Sequence, residues 1–193
     1  MKLVINKECG DCSACCHHIP IDQEDFVKLP NVDCEHLRKG GGCNIYKKRP
    51  KTCATWYCAW RYLSNLNDQW RPDLSGVLMD FTTKFIPSEF NKDTALTFKV
   101  IDKEKFLSNT ELTQFIIYLM AKNLPIFLSH GLEAGHSAIS TILNPHLLDA
   151  AKEKNHKEIL ETLKFLIEEC EKAPKNKLII ENRRIKSIKP DVQ

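Results

Sequence analysis

Eight cysteines, Cys9, Cys12, Cys15, Cys16, Cys34, Cys43, Cys53 and Cys58, crowd the first 58 residues of a 193-residue chain that has nine. Thiols gathered this tightly either cross-link with one another or share metal, because so many free sulfurs would expose a protein to oxidation and exchange. The opening MKLVINKECGDC has only a three-residue apolar run before charged residues intervene. No signal-peptide core is read there, so a cytoplasmic chain is expected. In a reducing compartment a cysteine framework points to metal binding rather than to disulfides.

Cys9, Cys12 and Cys15 recur every third residue. A loop winding round an ion or cluster can then present three sulfurs from one short segment, as ferredoxin-type runs do. Zinc sites draw more often on two separated CxxC pairs, whereas Cys34, Cys43, Cys53 and Cys58 are singly spaced. The expected cofactor is a Cys-ligated iron–sulfur cluster or Zn2+, with a slight lean to iron–sulfur. Cys15 and Cys16 are neighbours whose side chains would diverge in an extended segment, so one of them could face a second site. Eight cysteines could fill two four-thiolate sites, or one cluster plus a spare reactive pair. Cys170 lies on a helical stripe and reads as a buried hydrophobe. His17, His18 and His36 stand beside the cysteines as candidate ligands or ligand-orienting groups. Gly40, Gly41 and Gly42 precede Cys43 and supply a sharp bend.

Beyond CxxCxxCC, the residues Cys34, Leu37, Cys43, Ile45, Tyr46, Arg49, Pro50, Cys53 and Cys58 read C-x-x-L…C-x-I-Y-x-x-R-P-x-x-C…C. Over about the first 60 residues the chain resembles the bacterial CxxCxxCC cysteine-cluster family, described as zinc- or iron-chelating. The resemblance implies metal binding and leaves a reaction undefined. A similar group, the flagellin lysine N-methylases, transfers methyl groups from S-adenosylmethionine. This chain lacks the CxxxCxxC of radical S-adenosylmethionine enzymes, and lacks GxGxxG, a phosphate loop and HExxH. Locally, Ile45 and Tyr46 are expected to pack under the ligand loops, Arg49 to neutralise thiolates, and Trp56, Tyr57 and Trp60 to shield the site from water.

These side chains must be held by an α+β protein, with an irregular Cys-rich lobe followed by a small lobe of antiparallel strands with two or three helices. The expected division is 1–71 for the cysteine-cluster region and 72–193 for an α+β region packed against it, or the two together as one domain. Strands are predicted over 76–83 and 95–101. Ser108 and Glu111 suggest a capping box ahead of a helix carrying Leu112, Phe115, Ile116, Leu119 and Met120. A short strand is predicted at 126–129. Asn144 and Pro145 are expected to start a helix or helix pair reaching Lys172, with Ile159, Leu163, Leu166 and Cys170 inward. A strand or hairpin follows over 177–188, and a short helical stretch is expected after Asp22.

The net charge of +3 is too mild to imply nucleic acid, and no stretch approaches the roughly 20 apolar residues of a membrane helix. Partners are therefore expected to be a metal ion or cluster, with no membrane, nucleic acid unfavoured and protein partners undefined. The leading function is a cytoplasmic metal-binding protein for structure, storage, delivery or electron transfer. A metal-dependent modifying enzyme would use a pocket near His130, His136 or Asp80. A zinc-ribbon-like interaction module would use Lys47, Lys48, Arg49 and Lys51.

Overall fold

A computed structural model describes residues 2–189. The cysteine-rich part is built from short pieces: α1 (Ala14–His18), a two-residue hairpin of β1 (Ile21–Asp22) and β2 (Val27–Lys28), α2 (Lys51–Thr55) and α3 (Pro72–Ser75), joined by single 3-10 turns. Where a helix was expected after Asp22, the chain makes that hairpin, with Ile21 opposite Lys28. The two aspartates serve other segments. Asp22 accepts from the Ile185 N–H at 3.2 Å and Asp25 from the Thr52 N–H at 3.1 Å.

The remainder is mixed α+β. Strands β3 (Val77–Thr82), β4 (Ala95–Val100), β5 (Ile126–His130) and β6 (Ile139–Ile142) form a sheet in that order, with α4 (Lys103–Ser108), α5 (Leu112–Ala121), α6 (Asn144–Lys152) and α7 (His156–Lys172) around it. The hairpin β7 (Lys177–Glu181) and β8 (Arg184–Ile188) closes the chain against β2. The sheet is not wholly antiparallel as expected, because β4 and β5 run parallel, Leu96 opposite Ile126. Segments α4 and α5 lie between these two strands, and a parallel pair needs such a long crossover.

The α6–α7 pair and the β7–β8 hairpin match the periodicity, and Ile159, Leu163, Leu166 and Cys170 are all buried. The capping box does not form. Ser108 ends α4, its hydroxyl donating to the Lys105 carbonyl, while the Glu111 N–H donates to Asn109 Oδ1. Glu111 uses its carboxylate on the Trp70 indole N–H at 2.7 Å and on Asn67 at 2.9 Å. Asn144 likewise leaves capping aside: its side chain accepts from the Ile126 N–H and donates to the Leu124 carbonyl, tying α6 to β5.

A single apolar cluster runs from Ala59, Trp60, Leu66 and Trp70 through the sheet to Ile159, Leu163 and Cys170. Before Ala59, the buried apolar side chains among the residues described are those of Ala14 and Pro30. Residues 2–58 thus have almost no hydrophobic core, and hydrogen bonds carry much of their shape.

Candidate metal centre

All eight amino-terminal cysteines line one cavity of about 630 Å3. None forms a disulfide, and each is partly buried, whereas Cys170 is buried in the core on α7. Among the described residues no three His, Cys, Asp or Glu side chains converge into a group able to hold a metal ion. The thiols therefore surround a space rather than pinch a point.

Backbone hydrogen bonds fold the cysteine segments. The Cys12 N–H donates to the Cys9 carbonyl at 2.9 Å, making a turn, and the chain then enters α1, which carries Cys15 and Cys16. The Cys34 N–H donates to the Cys16 carbonyl at 3.0 Å, and an isolated bridge pairs Leu37 with Cys43. Gly41 makes that loop possible. Its φ is 104° and a Cβ there would stand 2.2 Å from the Asp11 carbonyl oxygen, so the two cysteine loops touch backbone to backbone. Cys53 sits in α2, and Cys58 caps the 3-10 turn Ala59–Arg61 that packs on β3.

The sulfurs are met by donors and positive charge. The His36 N–H donates to Cys34 Sγ at 3.4 Å and Arg61 Nη1 to Cys9 Sγ at 3.5 Å. Lys28 Nζ donates to the carbonyls of His17, Leu29 and Val32, each at 2.9 Å. Arg49 lies 3.9 Å over the Tyr46 ring and donates to the Tyr57 hydroxyl at 2.9 Å. The Nε atoms of Arg49 and Arg61 are buried without a partner. An unpaired buried guanidinium N–H is costly unless an acceptor or a negative charge lies against it.

Burial pushes the Cys12 thiol up to about 12 and those of Cys53 and Cys58 to about 11. The Cys15 thiol is also raised, by its hydrogen bond to Cys16 and then by burial. Cys16 is lowered to about 7 by that same bond, with the charges of Lys28 and Arg49 helping against burial. The raised thiols of Cys12, Cys15, Cys53 and Cys58 stay mostly protonated at neutral pH unless a cation takes the proton's place. Four thiolates round a divalent ion leave a net negative centre, which the two orphan arginine N–H groups suit. The residues fit a thiolate-bound metal centre.

The other candidates separate. His36 lines the cavity and stacks on Phe26. His17 points to Asp33 at 2.5 Å. His18 bonds Asn31 at 3.0 Å, and burial lowers it to about 4, so it is neutral. His130 is held by the Val100 carbonyl at 3.0 Å and lies 3.4 Å from Glu171, and His136 bonds the Ala134 carbonyl. Neither lines the cavity. Asp80 on β3 does, and burial raises it to about 6 against a hydrogen bond from Trp56. Tyr46 is exposed on the cavity wall rather than packed beneath the loops, while Trp56 and Tyr57 do flank the sulfurs. Of the basic cluster, Lys47, Lys48 and Lys51 are exposed and Arg49 is committed to the two tyrosines. Sequence reasoning missed Lys28 and Arg61. Arg61 had a signal, three residues after Cys58, but its reach to Cys9 depends on the fold.

No family model, characterised protein or solved structure matches the chain in the comparisons made. The similarity to the CxxCxxCC family therefore rests on the motif residues themselves. Among the described residues no helix is long and apolar enough to cross a membrane.

Proposed function

We propose that this protein binds metal through its amino-terminal cysteines, holding an iron–sulfur centre in preference to zinc. The observation that carries the reading is the shared cavity: all eight thiols of the motif line it. Two further features support it. The orphan N–H groups of Arg49 and Arg61 suit an anionic occupant, and N–H···S contacts to Cys34 and Cys9 are the kind that tune iron–sulfur centres. A space of several hundred Å3 also suits a polynuclear centre better than one ion enclosed by its own ligands. The role expected for such a centre is structural support, metal handling or electron transfer.

Anaerobic purification followed by metal and acid-labile sulfide analysis tests this. Brown protein with sulfide matching iron is the expected result. Colourless protein with stoichiometric zinc and no sulfide would reassign the metal, and metal-free protein after anaerobic reconstitution would overturn the reading.

A catalytic role is favoured by one specific observation. Asp80 stands on the cavity wall with its carboxyl raised to about 6, the range of a general acid or base. If the protein modifies a substrate as the similar flagellin lysine N-methylases do, Asp80→Asn should abolish turnover of S-adenosylmethionine while metal content stays unchanged. Turnover equal to wild type would remove Asp80 from that role.

A further inference from the structure

We infer that the eight cysteines divide into two four-thiolate sets, Cys9, Cys12, Cys15 and Cys58 in one and Cys16, Cys34, Cys43 and Cys53 in the other, so that the cavity holds two metal centres side by side. This rests on the reading that these cysteines bind metal, and concerns how they share it.

The backbone draws the division. In the first set, the turn from Cys9 to Cys12 is closed by a 2.9 Å hydrogen bond. The Cys58 end is tied to it by Arg61, whose N–H donates to the Cys58 carbonyl at 3.0 Å and whose guanidinium reaches Cys9 Sγ. Cys15 stands near the thiols of Cys12 and Cys9, and Cys58 near that of Cys9. In the second set, the Cys34 N–H bonds the Cys16 carbonyl, the Leu37 N–H bonds the Cys34 carbonyl, and Leu37 bridges to Cys43. The start of α2 is anchored to the same region through Asp25 and Thr52, which brings Cys53 near the thiols of Cys34, Cys16 and Cys43.

Cys15 and Cys16 are the fork. Successive residues of a helix are about 100° apart round its axis, so Cys15 and Cys16 leave α1 in different directions while their thiols stay close to each other at the meeting point of the two sets. A closely spaced cysteine run whose last member serves the other cluster is a known solution in two-cluster proteins. The arginines divide the same way, whereas Lys28 lies near Cys34 and Cys16 and also near Cys15. Arg61 attends Cys9 and Cys58 in the first set, while Arg49 attends Cys16 in the second. Each set thus has its own arginine, and each of those arginines has a buried Nε without a partner.

Native mass spectrometry of the anaerobically reconstituted full chain, with thiol alkylation mapped by peptide mass, tests the division. The wild type should carry two centres, with all eight thiols protected. Cys58→Ala should lose about half the metal and expose Cys9, Cys12 and Cys15, leaving Cys16, Cys34, Cys43 and Cys53 protected. Cys53→Ala should give the reverse pattern. The count in the wild type needs no variant to fold. A single centre in the wild type, or either variant exposing both sets at once, overturns the division while leaving metal binding intact. A wild type that takes up no metal overturns both.

Discussion

Among single side chains, two buried lysines show how the site is framed. Lys28 spans three carbonyls, that of His17 at the end of α1 and those of Leu29 and Val32 in the loop leading to Cys34. Lys28→Met would leave those acceptors unpaired, and a loss of about 3 kcal/mol in urea unfolding is expected; an unchanged midpoint would contradict it. Lys99 on β4 is held down to about 8 from its ordinary 10.5, by burial and then by the charge of Lys28. Between about pH 8 and 10.5 the unfolded chain carries a proton that the folded chain has released, so stability from this group rises with pH across that window. Below pH 8 both states are charged and the full penalty is present. Lys99→Met should therefore be more stable than wild type at pH 7, by about 3 kcal/mol, with the gap closing toward pH 10.5. A gap independent of pH would remove the buried charge as its cause. Cysteine type and spacing made the ligand candidates legible in the sequence. The supporting cations were not: Arg61 reaches Cys9 across 52 residues, and Lys28 gathers the His17 carbonyl together with those of its own loop, a convergence that spacing alone does not announce.

Turns and strands carry the next layer of constraint. Gly40 and Gly41 share a positive φ, but a Cβ at Gly40 meets nothing within 4 Å whereas one at Gly41 meets the Asp11 carbonyl. Gly41→Ala should thus cost more than the roughly 1–3 kcal/mol of backbone strain alone and reduce metal content, and Gly40→Ala should cost only that strain. Equal effects would show that the contact with Asp11 does not matter. Within the core, Trp70 is fully buried against Phe115, with ring centroids 5.0 Å apart, and donates to Glu111. Trp70→Ala is expected to cost about 3–5 kcal/mol, and Glu111→Ala about 1–3 kcal/mol by leaving the indole N–H unpaired. Chemical denaturation checks both. The elements read correctly from sequence, β3, β4, α5 and α7, have strong local periodicity. The four-residue β6 lacks a long alternating run, and the parallel pairing of β4 with β5 is fixed by packing of the crossover helices. The Asp22 segment was misread as helical because its aspartates cap nothing local and bond distant chain instead.

Taken together, the chain joins a well-packed sheet-and-helix core to a segment, 2–58, whose buried apolar side chains are only those of Ala14 and Pro30. The two parts should respond differently to metal removal. Chelation under reducing conditions is expected to make residues 9–58 sensitive to protease while the helical signal of α5–α7 persists; simultaneous loss of both would show that metal supports the entire fold. The contrast between the parts was visible in the cysteine distribution, and the shared cavity of eight sulfurs was not, since it assembles residues from Cys9 to Cys58 with Asp80 of the sheet. The central claim is that these sulfurs donate to metal. X-ray absorption at the metal edge of anaerobically purified, metal-replete protein measures this directly. A first shell made of sulfur, with a metal–metal distance behind it, is the result the account requires; a shell of oxygen or nitrogen would contradict it.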